Sequence, residues 1–231
     1  MINASPERAE GLRLYDELLA VHTILRRGSA LLVESLGALE AGRPVHLGTL
    51  VAVARWHTAF LHHHHHSEDE QFWPLLRELF PASVEDLSRL TAEHEELDAE
   101  LKILGEAIDA IGALRGNAAA RQIAARHLAE RTAHSSAVVS HEALVAHLAD
   151  EEPVLRTLFP QVAPDRIRRL RAAIVAAAPK SGPDLVLGLL ADPEPAPGYE
   201  HMVENFPAPV RWLRPVLLAR YRSRRRALGV G

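Results

Sequence analysis

Histidine and glutamate side chains, placed together out of water, hold cations, and one stretch concentrates both. "LHHHHHSEDEQFWPLL" (61–76) carries five consecutive histidines and then three acids within four residues. The run sits mid-chain between apolar residues (Trp56, Phe60 and Leu61 before it, Phe72, Leu75 and Leu76 after it), so it is not a terminal purification tag. On a helix each residue turns about 100°. With His64 at zero, Leu50, Val53, His57, Leu61, Glu68, Phe72, Leu75 and Leu79 share one stripe. His62 and His66 fall near the opposite face, His63 and His65 on the flanks, and these four are expected in solvent; Glu70 points outward too. A second stretch, "HLADE", repeats the pattern. His147 and Glu151 fall on the stripe of Leu144, Leu148, Leu155 and Leu158. Both stretches are therefore His-x-x-x-Glu pairs aimed at a core.

Two further histidines sit among leucines. His94 interrupts the 3-and-4 series Leu87, Leu90, Leu97, Leu101, Leu104, Ile108 and Ile111, and His22 belongs to the series Leu18, Leu25, Ser29, Leu32 and Leu36. A lone inward histidine is ordinarily a hydrogen-bonded core residue. Four of them with two carboxylates are another matter, because burying unpaired charge costs several kcal/mol per ion. A cation compensates all six groups at once. The chain has no cysteine, which excludes disulfides, thiolate zinc sites and cysteine-held clusters, and leaves only nitrogen and oxygen donors.

The elements that must carry these groups are long helices. Breaks at 40–48, 80–86, 114–117 and 159–165 leave segments of roughly 7–40, 46–79, 84–114 and 118–159. Ser83 can cap the third, whose first turn holds Glu85 and Asp86. Thirty helical residues span about 45 Å. Four such rods joined by short loops predict an all-α fold, an up-down-up-down four-helix bundle over residues 1–160. Residues 161–231 form a C-terminal extension: a short helix (164–178), a proline-rich linker (189–198) and a basic amphipathic tail.

At this point the sequence resembles the hemerythrin-like family of HHE cation-binding domains, over about residues 10–160. His22, His64, Glu68, His94, His147 and Glu151 carry the resemblance, one histidine per helix in order. It implies a non-haem, oxo-bridged pair of iron ions held by those six residues inside the bundle. Oxygen-carrying members have five histidines, two of them one turn apart on the third helix; here Asp98 stands in the second place. Four histidines and two glutamates look more like the branch associated with iron-cluster repair and nitric oxide stress. His57 and His141 are spare candidates for a fifth imidazole. With both glutamates bridging, each metal receives two imidazoles and two carboxylate oxygens, four ligands of a usual six, which leaves room for O2, nitric oxide or hydrogen peroxide. The expected function is binding of, or reaction with, such small oxidants. Iron storage or donation without turnover is the alternative, and a helical interaction module with structural histidines is a third possibility. No Glu-x-x-His, His-Glu-x-x-His, Gly-x-x-x-x-Gly-Lys or Gly-x-Ser-x-Gly occurs, against ferritin-type centres, zinc proteases, P-loops and hydrolase elbows.

Composition sets the surroundings. With 48% hydrophobic and 24% charged residues, the chain can bury a core. Residues 1–204 carry 19 basic and 30 acidic side chains, while all seven charges beyond them are arginines. The tail is expected to dock on the bundle through Trp212, Leu213, Leu217 and Leu218, its arginines against the acidic exterior, with no nucleic-acid partner. No secretory signal and no transmembrane stretch is read, so a cytoplasmic location is the default.

Overall fold

A computed structural model describes residues 6–114 and 120–230, and every regular element among them is helical. Four long segments fall where the breaks predict: α1 (Pro6–Glu40), α2 (Leu47–Ser67), α4 (Val84–Ala113) and α5 (Ala120–Leu158). Gly42, at φ 72°, ends α1 in the left-handed conformation that an L side chain resists, and the Arg43 N–H closes the motif on the Ala38 carbonyl. Most of the predicted break at 114–117 lies outside the described residues. Ser83 occupies the N-cap position of α4 as expected, but its side chain makes no capping bond.

The second predicted rod is subdivided. After α2, residues Glu68–Phe72 form a π turn, and α3 (Trp73–Leu79) continues from it. The Trp73 N–H reaches five residues back to the Glu68 carbonyl. Pro74 has no N–H to offer the Glu70 carbonyl, which weakens the α ladder here. The wider turn retards the helix by about one residue, or 100°. Trp73 and Leu76 are therefore buried where an uninterrupted helix would bury Leu75 and Leu79, which are only half-buried.

α1 packs on α2 and α5, and α4 packs on the same two helices, closing a ring. The leucine series of α1 and α4 are buried throughout, as their spacing requires. The rest of the chain is α6 (Pro164–Ala177), α7 (Pro183–Ala191), α8 (Tyr199–Glu204), α9 (Ala208–Trp212) and α10 (Arg214–Ala227). α7 lies against α1 and shares its core through Leu185, Leu189 and Leu190. α10 lies on α7 through Tyr221, with Arg224 on the buried Asp184 at 2.6 Å, and Leu228 reaches the α1–α2 core. Trp212 and Leu213 are not at that contact. They are 82% and 54% exposed, because α9 and the start of α10 turn them to the outside. No helix among the described residues is long and apolar enough to cross a membrane.

Candidate metal centre

One level of the ring, where α1, α2, α4 and α5 face each other, is polar. His22, His64, Glu68 and Glu151 present ligand atoms that all lie within 4.8 Å of one another, and His65, His94 and His147 form a second group by the same measure. All seven are buried. The two carboxylates lie between the groups. Glu68 is 3.2 Å from His64 Nε2 and 3.5 Å from His94 Nε2, while Glu151 is 3.7 Å from His22 Nε2 and 3.4 Å from His147 Nε2.

All six residues singled out in the sequence thus meet in one place. The seventh, His65, was expected in solvent, and that expectation is corrected. α2 packs against both α1 and α4, so its buried arc exceeds the width of one stripe. His64 turns to His22 on α1, and His65, one residue on, stacks on His94 of α4 at 4.1 Å between ring centres. Five imidazoles therefore converge, His65 beside the four read from the sequence. Asp98, one turn after His94, approaches His65 Nδ1 at 3.4 Å and His62 Nδ1 at 3.0 Å from outside the cluster. His57 and His141 belong to neither group: His141 pairs with Ser29 at 2.7 Å, and His57 packs beside Gly28, further along the bundle. His62 and His66 are exposed, His63 half-buried.

Four of the five rings are held from behind by a carboxylate on Nδ1: His22 by Glu152 at 2.9 Å, His65 by Asp98, His94 by Asp69 at 3.2 Å and His147 by Glu93 at 2.8 Å. Arginines anchor two of these acids, Arg26 on Glu152 at 2.6 Å and Arg89 on Glu93 at 2.6 Å. A carboxylate behind a ring fixes its tautomer and aims the other nitrogen inward. Sequence reading passed over Asp69, Glu93 and Glu152, although each adjoins a core-facing residue (Glu68, His94 and Glu151). The signal was adjacency, but each acid serves a ring on another helix, which no single helical wheel reveals.

The inner side is unsatisfied. His22 Nε2, His64 Nε2, His65 Nε2 and all four oxygens of Glu68 and Glu151 are buried without a hydrogen-bond partner. Burial, then the four neighbouring imidazoles, pushes His64 well below the usual histidine range, and burial with His65 and His147 brings His94 down to about 4. These rings are neutral and offer lone pairs. Burial and the facing Glu151 raise the Glu68 carboxyl well above its usual range. Burial opposes charge on Glu151 as well, but His22 and His147 outweigh it and hold that carboxyl down to about 2. Orphaned polar atoms in this number are rare in folded proteins. Imidazole nitrogens and carboxylate oxygens are donors suited to iron, manganese or zinc, so the residues present fit a bound metal.

An all-helical fold with such a buried donor set defines a cation-binding helical protein. Residues 13–155 match the family model described as Hemerythrin HHE cation binding domain, more than half of the chain, and the protein belongs to that family. No curated protein and no solved structure gives a match.

Proposed function

We propose that this protein is a non-haem di-iron protein that binds or reacts with O2, nitric oxide or hydrogen peroxide. The observation that carries the reading is the inward ring of seven buried, unpartnered nitrogen and oxygen atoms. In it, His22 and His64 would hold one metal, His65, His94 and His147 the other, and Glu68 and Glu151 would bridge the two. Bound iron would supply a redox centre with open positions for a small ligand. The chain's own residues do the rest. Outer carboxylates set the imidazole tautomers, the leucines above and below exclude water, and buried acids hold the charge balance. Contacts between α1 and α5, α2 and α4, and α4 and α5 each pair the first half of one helix with the second half of the other, as in His134–Glu40, Arg55–Asp109 and Arg89–Asp150. We read the ring as an up-down-up-down bundle.

The test is metal content with an optical spectrum, on tag-free protein and on single variants. About two irons per chain are expected, lost in His64→Ala and reduced in His65→Ala, but kept in His66→Ala. Equal loss in all three variants would make the run a surface metal trap, and absence of metal would return the bundle to an interaction module. Spectral change on adding O2, nitric oxide or peroxide identifies the small ligand. Iron that is removed by mild chelators with no such change would favour storage or donation.

A further inference from the structure

A cavity of about 490 Å³ lies between α1, α2 and the C-terminal helices, and it touches the metal centre. Its bundle wall includes Leu14, Leu18, Val21, Phe60 and Phe72. Ile174, Val175, Val186, Met202 and Phe206 build the opposite wall. The family match ends at residue 155, so that second wall is an addition to the cation-binding domain. At the floor are His64 and Glu68. His64 is the ring without an outer carboxylate, and at 8% it is the most exposed of the seven site residues.

Size argues against a gas channel. A diatomic gas is comparable to a water molecule, whose share of liquid volume is about 30 Å³. The cavity exceeds that more than tenfold and lies within the roughly 300–1,000 Å³ of pockets for organic ligands. His64 and Glu68 at the floor carry the unpartnered atoms of the metal centre, but Arg171, Glu17, Asn205 and Ser67 on the walls are already engaged. Arg171 donates to Glu17 at 2.6 Å and to Asn205 at 2.7 Å, and Ser67 donates to the His63 carbonyl at 2.8 Å. A strongly polar ligand would lose water here and gain few partners. Lys180, on the exposed rim, is the exception: it makes no ion pair among the described residues.

We propose that this cavity binds a small organic molecule with an apolar body and one anionic end, the anion at Lys180 and the apolar end against His64 and Glu68. The proposal depends on the di-iron reading only for what lies beyond its floor. That arrangement would place carbon, rather than a gas alone, beside the centre.

The probes are decanoate and neutral 1-octanol, titrated calorimetrically into the full chain with and without iron, and a decanoate carrying a diazirine at its far end. Decanoate should bind with a Kd well below about 1 mM. Lys180→Glu should weaken it about tenfold, the loss of roughly 1.4 kcal/mol, and leave octanol unchanged. Ile174→Trp, or Val175→Trp at the exposed rim if the first variant fails to fold, should abolish both by filling the space. Irradiation should mark peptides 14–21 and 60–72. Absence of binding, binding indifferent to all three variants, or labelling confined to 174–183 and 205–210 would overturn the proposal. Iron measured on the same samples separates the two readings: decanoate bound and crosslinked at the floor without iron upholds the cavity and rejects the di-iron centre, and iron without decanoate does the reverse.

Discussion

At the scale of residues, the centre is a trade between stability and binding. Glu68 and Glu151 face each other with no hydrogen bond; His22 and His147 compensate charge on Glu151, whereas burial and Glu151 together disfavour charge on Glu68, a cost that the unfolded chain does not bear at neutral pH. Glu68→Gln should therefore stabilise the metal-free protein, by about 1–3 kcal/mol on the scale of buried-ion replacements, while lowering metal content. Denaturant unfolding in chelator reads the first effect; a destabilised variant would show that the carboxylates are satisfied by other means. The outer acids act through geometry. Glu93→Gln and Glu152→Gln each keep size but loosen a ring, so metal affinity should fall by about 10–100-fold in chelator competition, with little change in metal-free stability. His57 offers a separate measurement. Burial, with His141 nearby, brings its ring down to about 4. An unfolded histidine titrates near 6.5. Between those values the unfolded chain takes up a proton that the fold refuses. The stability of the neutral ring is intact above about pH 6.5 and falls toward pH 4, by on the order of 3 kcal/mol. His57→Phe should remove that share of the acid sensitivity; an unchanged difference between pH 7 and pH 4.5 would mean the ring is not desolvated.

The π turn is the decisive element. It begins at Glu68 and lets one helix serve two packing registers, the ligand-bearing half and the half that carries Trp73 and Leu76 into a second core cluster with Phe72, Leu87, Leu90 and Phe159. Leu76→Ala should cost about 2–5 kcal/mol, as for a fully buried leucine. Leu75→Ala should cost markedly less, since its side chain is only partly buried. Equal costs in chemical denaturation would mean that the register shift is absent in solution.

For the whole molecule, the extension is part of the packing and not a hanging tail. Gly188 in α7 is where this shows. A Cβ there would sit 2.0 Å from the Tyr221 ring of α10, whereas alanine would otherwise improve a helix by about 1 kcal/mol. Overpacking costs about 1–3 kcal/mol or more, so Gly188→Ala should destabilise despite its propensity, and Tyr221→Ala should reverse the sign of the Gly188 effect. A melting temperature raised by Gly188→Ala alone would show α10 to be undocked.

Helix positions and six of the seven inward donors were legible in the sequence, because the 3.6-residue period fixes which side chains share a stripe and buried charge needs compensation. Leu87 to Ile111 and the His-x-x-x-Glu pairs needed nothing more. His65 was not legible: a wheel drawn for one helix cannot show that α2 is buried against two neighbours. The shift from Leu75 to Leu76 followed from the local π turn beside Pro74, a backbone pattern that side-chain periodicity does not show, and the exposure of Trp212 from the docking of α10 on α7. Asp69, Glu93 and Glu152 reach rings on other helices, and the cavity wall joins residues 14–72 to 171–210. Sequence determined what each helix could present. Which groups meet, and what space they leave, was decided by tertiary packing, because close packing fills a core only by choosing one arrangement of neighbours.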